Sequence, residues 1–146
     1  ILGAGGVARA VAVGLIDGGA SVSVINRTES RAQELAASID GVVVLRSDEL
    51  DGRNFDVLVN CTPIGMAGGP APDESPLPEH VELNDSHSVF DTVYTPERTR
   101  LISDAEARGA RVFSGLEMFL PQAALQFEAW TGEVPPEGVF ETALSE

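Results

Sequence analysis

The opening stretch, Ile1–Gly19, reads ILGAGGVARAVAVGLIDGG. Two apolar residues run into glycines, and a helical run follows that Gly18-Gly19 stops. Within it, Gly3-Ala4-Gly5-Gly6-Val7-Ala8 fits G-x-G-x-x-G/A, with Gly3, Gly5 and Ala8 at the three small positions. The first glycine permits a tight turn, the second lets backbone approach a pyrophosphate, and the third residue lets helix and strand pack closely. Free N–H groups at the helix start then face the phosphates. A glycine turn alone can be purely steric. Here a strand end precedes it, a helix follows, and a second apolar run closes at Asn26, which favours dinucleotide binding.

Further along, strands and helices alternate. SVSVIN (21–26) is β-rich, and TESRAQELAASID (28–40) is helical, with Thr28 as N-cap and Leu35 and Ile39 one turn apart. GVVVL (41–45) reads as a buried strand, SDELDG (47–52) as a short turn, and FDVLVN (55–60) as a strand. The Gly- and Pro-laden stretch 62–80 is a long loop. HSVFDTVY (87–94) and ARVFSG (110–115) are strands around a helix in 95–109, capped near Thr99. GLEMFLPQAALQFEAWTG (115–132) is a long amphipathic helix. The pattern predicts an α/β fold: a Rossmann-like, doubly wound, mainly parallel sheet of about six strands with helices on both faces, its first strand truncated. Residues 1–132 form this domain, and residues 133–146 a tail whose short helix packs on it.

The chain opens without Met and without the four or five apolar residues of a buried first strand. It is expected to be a fragment, and a marginal or aggregation-prone one unless the upstream part is supplied.

Among 146 residues there are 23 acids and 9 bases, a net charge of −14, and every base is Arg. Such a surface repels nucleic acid and anionic membranes, which excludes both as partners. Either adaptation to high salt or a GC-rich genome accounts for the missing lysine. No apolar run approaches a bilayer span. The single cysteine, Cys61, forms no internal disulfide and no metal cluster with the two histidines, so a cytoplasmic setting is expected.

The end of the second strand is where a dinucleotide domain usually carries an Asp or Glu for the ribose 2′-OH. Here stands neutral Asn26, followed by Arg27 and Thr28, with Arg31 one turn further on. Removing the carboxylate removes its repulsion of a 2′-phosphate, and guanidiniums fork onto phosphate oxygens. Arg27 and Arg31 share a helix face and can reach one anion. The cofactor expected is therefore NADP.

With NRTESR placed after GAGGVARA, and followed by VLVNCTPIGM, VFDTVYTPERTRLI and GLEMFLPQAALQFEAWTG, the chain resembles the C-terminal, NADP-binding domain of the shikimate dehydrogenase family. The resemblance covers about residues 1–132. It implies that Gly3, Ala4, Gly5, Gly6 and Val7 line the pyrophosphate, and that Asn26, Arg27, Thr28 and Arg31 hold the 2′-phosphate. It further implies that Thr62, Pro63 and Met66 border the adenosine and ribose side of the crevice. Tyr94, Gly115 and Met118 would surround the nicotinamide and adjacent substrate, and Gln122 would reach a shikimate hydroxyl.

Beside that resemblance stand plainer readings. Leu116, Phe119, Leu120, Ala123, Phe127 and Trp130 form one apolar stripe expected to face the core, leaving Met118 and Gln122 on another face. Pro121 is expected to kink this helix. Asp91 serves the strand end or a nearby cap, with no chemistry assigned. His80 and His87 are expected to be exposed, and Cys61 to be a small core residue.

The family's reaction, by resemblance, is reversible hydride transfer between NADPH and 3-dehydroshikimate, in aromatic amino-acid biosynthesis through chorismate. Its proton is handled by a Lys–Asp pair in an N-terminal lobe, which also binds shikimate. This chain has no lysine, so no catalytic residue is expected in it. It should bind nucleotide without turnover. A homodimer is one option for the full-length form. A quinate/shikimate dehydrogenase homologue, a bifunctional dehydratase–dehydrogenase and a non-catalytic NADP-sensing module remain alternatives.

Overall fold

Leu2 is the one residue before the glycine turn that pairs on both sides, through parallel bridges to Ile25 and Asn60. Its N–H donates to Val59 O at 2.8 Å, and its carbonyl accepts from Cys61 N–H at 2.7 Å. On the other side Gly3 N–H donates to Ile25 O at 2.7 Å and Ile25 N–H to Ile1 O at 2.8 Å. In this computed structural model, which describes residues 1–144, those bonds join two parallel sheets.

One sheet pairs β1 (Val22–Val24) with β2 (Val42–Val44). The other runs β3 (Val57–Asn60), β4 (Ser88–Asp91), β5 (Arg111–Phe113). Across the joined sheet the order is β2, β1, Leu2, β3, β4, β5, the doubly wound order with its first member reduced to one bridged residue. The expected six strands are thus five. Only two residues precede Gly3, whose φ of +106° turns the chain away.

The helices are α1 (Gly6–Asp17), α2 (Glu29–Ala37), α3 (Arg100–Ala107), α4 (Gly115–Thr131) and α5 (Val139–Leu144). Small residues let α1 and α2 lie close to β1: Ala8, Ala12 and Ala32 are fully buried with Val22, Val24 and Leu35. A second cluster gathers Leu2, Leu50, Leu58, Val81, Leu83, Val89, Leu101, Ala105 and Ala110 around β3, β4 and α3.

Three expectations about burial change. β2 is not a buried strand: it pairs only with β1, and Val43 is 56% exposed at the sheet edge. His87 is buried rather than exposed, because it ties two loops together. Its Nδ1 accepts from Asn84 N–H at 3.0 Å, so Nε2 carries the proton and donates to Gly52 O at 2.6 Å, with the ring beside Phe55. The stripe on α4 does not enter the core either. Gly115 is its one buried residue, and Trp130 is 81% exposed. A helix of 17 residues runs about 25 Å, whereas three-residue β5 offers about 10 Å of strand, so only the start of α4 has sheet to pack against. Pro121 lies inside one continuous helix. Beyond α4, Phe127 meets Phe140 of α5 edge-on at 6.2 Å; Ser145 and Glu146 lie outside the described residues.

Between β1 and β3, on the side away from the glycine turn, lies a cavity of about 320 Å³ lined by Ser21–Ser23, Phe55–Val59 and Leu45. It continues the line of Ile1 and Leu2, and the amino group of Ile1 already donates to Ser23 O at 2.7 Å. Lengthening the chain upstream by four β-branched residues is expected to fill this slot and pair both flanking strands. A rise in melting temperature of about 10 °C or more is expected, from roughly 2–3 kcal/mol of burial and pairing. Thermal unfolding of the two chains, followed by circular dichroism, checks it; equal melting would mean the slot does not take a strand.

Candidate functional site

All five strands are parallel, so the residues just beyond their carboxyl ends share one edge. That edge carries Gly3 after Leu2, Asn26 after β1, Cys61 after β3, Thr92 after β4 and Ser114 after β5. In a doubly wound sheet this is the ligand crevice.

The glycine turn divides its labour. A Cβ on Gly3 would stand 2.8 Å from Cys61 O, so the residue is required by the fold itself. A Cβ on Gly5 or Gly6 would meet nothing within 4 Å, leaving open space over the start of α1. Gly5 caps α1 without a side chain, so the first-turn N–H groups face that space unpaired. Val7 is 44% exposed beside them, and Ala4 is half-buried.

At the end of β1, Asn26 Nδ2 donates to Thr28 O at 2.8 Å and shapes the turn into α2. Thr28 is the N-cap residue as expected, but its hydroxyl makes no cap bond; Arg31 N–H donates to Thr28 O at 3.1 Å, while the Thr28 hydroxyl and the N–H groups of Glu29 and Ser30 have no cap partner. Arg27 and Arg31 are both exposed. Arg46, Arg53, Arg98 and Arg100 are each paired with a carboxylate: Asp48, Asp51, Glu106 and Asp104. Arg9 donates to Ser38, Arg108 to Asp104 O, and Arg111 lies over the Phe113 ring. Among the described residues, only Arg27 and Arg31 of the nine arginines have no such partner. In a chain with 23 acids, these two guanidiniums stand without a carboxylate partner at the start of α2, Arg27 just before its N-cap and Arg31 in its first turn, so they do not share a helix face as the spacing suggested.

Past β3, the loop with Thr62, Pro63 and Met66 is built on Asn60. Thr62 N–H and Oγ1 both donate to Asn60 Oδ1, at 2.9 and 2.7 Å, and Ile64 N–H donates back to Thr62 Oγ1 at 3.2 Å. The Thr62 hydroxyl is thereby engaged inside its own loop, while Pro63 and Met66 are exposed. Past β4, Tyr94 is 44% exposed and stacks on Phe119 of α4 at 4.6 Å. Gly115 opens α4 against the β4 loop so closely that a Cβ would stand 2.4 Å from Val93 O. On α4, Met118 is half-buried and Gln122 exposed.

Beneath these loops lies a polar cluster to which the sequence reading assigned no chemistry. Asn60, Asp91 and Thr99 are buried, and Asp91 accepts from Asn60 Nδ2 (2.9 Å), Val93 N–H (3.0 Å) and Thr99 Oγ1 (2.6 Å). Burial raises the Asp91 carboxyl above its ordinary range, against the opposing pull of those three donors. A carboxyl whose pKa is higher folded than unfolded costs stability once ionised, so this charge does not hold the fold together at neutral pH. A polar residue closing each of β3 and β4, Asn60 and Asp91, was the signal available in the sequence.

Cys61 is half-buried, and burial pushes its thiol up to about 11 from 9.0. At pH 8 the folded chain should react with iodoacetamide about 100-fold more slowly than the unfolded chain, in proportion to thiolate. Comparable labelling rates with and without denaturant would contradict this. Among the described residues no group of His, Cys, Asp or Glu is arranged to hold a metal ion, and no helix is long and apolar enough to cross a membrane.

Residues 1–65 match the family profile described as "Shikimate / quinate 5-dehydrogenase", and residues 115–144 match "Shikimate 5'-dehydrogenase C-terminal domain". The chain is 41% identical over 146 residues to the shikimate dehydrogenase (NADP(+)) of Methanocella arvoryzae, covering 97% of this chain and 53% of that protein. Among solved structures it is similar to the quinate dehydrogenase of Corynebacterium glutamicum in complex with NAD (TM-score 0.83, 33% identity), covering 99% of this chain and 54% of the other. It is also similar to the shikimate 5-dehydrogenase of Thermus thermophilus in complex with NADP(H) and shikimate (TM-score 0.78, 40% identity), covering 92% of this chain and 49% of the other. The chain spans about half the length of the relatives it matches. Alike in sequence along nearly all its residues and alike in fold, it belongs to the shikimate dehydrogenase family.

Proposed function

We propose that this chain is the NADP(H)-binding half of a shikimate dehydrogenase that interconverts 3-dehydroshikimate and shikimate. The observation that carries the cofactor reading is the pair Arg27 and Arg31, unpaired beside a neutral Asn26 at the end of β1. They take the 2′-phosphate, with the Thr28 hydroxyl beside them. Gly3, Ala4, Gly5, Gly6 and Val7 present backbone N–H groups to the pyrophosphate at the start of α1. Thr62, Pro63 and Met66 border the adenosine and ribose side of the crevice. Tyr94, Gly115 and Met118 shape the far end, and Gln122 contacts a substrate hydroxyl. NADPH, when bound, supplies the hydride.

With no lysine in the chain, a Lys–Asp pair for the proton has to come from a substrate-binding lobe elsewhere in the protein. A net charge of −14 argues against nucleic acid and anionic membranes as partners and suits a cytoplasmic enzyme, as monomer or homodimer. The quinate dehydrogenase neighbour, solved with NAD, keeps a second reading in play, in which this half serves a quinate/shikimate enzyme.

Fluorescence titration of the chain with NADPH and with NADH tests the proposal. Tighter binding of NADPH by about 10-fold or more is expected from two guanidiniums on one phosphate. Equal binding of the two would remove the 2′-phosphate site and with it the cofactor assignment.

A further inference from the structure

Asp91 closes β4 on the crevice edge, fully buried, and among the described residues no basic group pairs with it. Each of its three donors belongs to a different segment. Asn60 carries the Thr62–Met66 loop, because its Oδ1 takes both Thr62 donors and its Nδ2 also reaches Ile64 O at 3.3 Å. Val93 carries Tyr94, and Gly115 rests on the carbonyls of Val93 and Thr92; the Thr92 carbonyl shares its peptide unit with the Val93 N–H that Asp91 holds, so that unit also seats the start of α4. Thr99 caps α3, accepting from Ile102 N–H at 3.3 Å, and its Cβ lies 3.3 Å from where a Cβ on Gly65 would stand. A further strap, Thr92 Oγ1 to Asn60 O at 2.8 Å, joins β3 to β4 at the same level.

A carboxylate buried without a cation costs the fold, so its presence calls for a benefit other than stability. The benefit is geometric. Two oxygens accepting three donors set the spacing of the β3 loop, the β4 loop and the two helix starts as one unit.

Which half of the dinucleotide this affects follows from the layout, on the cofactor reading proposed above. The 2′-phosphate site is at the end of β1 and the pyrophosphate at the glycine turn, where the sheet order reverses. A dinucleotide crossing that point lays its other half over β3, β4 and β5. We propose that Asp91, through Asn60, Val93 and Thr99, is the positioning residue for the nicotinamide half of the site, setting the separation of its two walls.

The experiment compares two ligands in the full-length protein that carries this chain: NADPH, and adenosine 2′,5′-bisphosphate, which has only the adenosine half. Asp91→Ala is expected to weaken NADPH about 10-fold and lower kcat by about 100-fold, the cost of a wall displaced by about 1 Å. Binding of adenosine 2′,5′-bisphosphate should change far less, by about 2- to 3-fold, since its two phosphates are held at the end of β1 and at the glycine turn and only the Thr62–Met66 loop, not the β4 loop or α4, borders its adenosine. Asp91→Asn should recover most of the loss, because its carbonyl oxygen still accepts from Asn60 and Val93 and its amide can donate to Thr99. Should Asp91→Ala fail to fold, Thr99→Val removes one donor to Asp91 along with the α3 cap and reads the same ratio, with Thr99→Ser, which restores both bonds, as its rescue.

Parallel weakening of both ligands, or no weakening of either, would overturn the inference. An Asp91→Asn variant as impaired as the alanine variant would also overturn it, since charge rather than position would then be the active property. Absence of adenosine 2′,5′-bisphosphate binding by the unaltered protein is a separate failure, that of the cofactor reading itself.

Discussion

Replacing Arg27 and Arg31 together with alanine should weaken NADPH roughly 100-fold and leave NADH within about 2-fold of its starting affinity. Neither guanidinium is committed to the fold: both arginines are exposed, and neither side chain is hydrogen-bonded or ion-paired among the described residues. Their removal therefore costs binding without costing stability, and the melting temperature of the double variant should stay within a degree or two. Because the contacts are made at the surface, the effect is screened, and the NADPH/NADH ratio of the unaltered chain should fall between about 50 mM and 0.5 M salt. Asn26→Asp adds the complementary test. A carboxylate there repels the 2′-phosphate and accepts from a ribose 2′-OH, so preference moves toward NADH. Titrations of both nucleotides at two salt concentrations decide the matter. Equal losses for NADPH and NADH in the arginine variant would mean that the pair acts on something common to both cofactors.

Gly3→Ala and Gly5→Ala, two residues apart, should have opposite signatures. Alanine at position 3 would have to adopt φ near +106° and place its Cβ 2.8 Å from Cys61 O. The dihedral alone costs about 1–3 kcal/mol and the overlap adds to it, a large share of the roughly 5–15 kcal/mol that holds a domain folded. Gly3 also sits where the two sheets are joined, so relaxing the overlap parts Leu2 from Ile25 or Asn60. The variant should lose cooperative unfolding or melt at least about 10 °C lower. Alanine at position 5 meets nothing within 4 Å and needs no unusual φ, since Gly5 sits at −89°. Its melting temperature should barely move, while its methyl group occupies the space over the first turn of α1 and weakens either dinucleotide about 10-fold or more. Stability measured by denaturation and affinity by titration separate the two. If Gly5→Ala bound nucleotide normally, the pyrophosphate could not lie over that turn.

Much of this molecule was legible in its sequence because the signals were local. The glycine turn depends on dihedrals that only glycine takes freely, and Gly3 takes one of them. Helix and strand order came from apolar periodicity, and the helix caps at Thr28 and Thr99 from residue type. The place of Asn26, Arg27 and Arg31 followed from their distance along the chain from that turn. Other features needed partners remote in sequence. His87 became buried because Gly52 O, 35 residues away, meets its ring, and Asp91 became a hub because Asn60, 31 residues away, lies beside it across a parallel ladder. β2 lost its expected burial because among the described residues the sheet has no further strand beyond it, and the apolar stripe of α4 stays half-buried, with Trp130 exposed, because β5 is too short to cover it. A chain's own composition determines which segments are helix or strand and where a backbone can turn. Whether a side chain is covered, and which polar group meets which, depends on the packing of segments whose separation along the chain carries no record of their nearness in space.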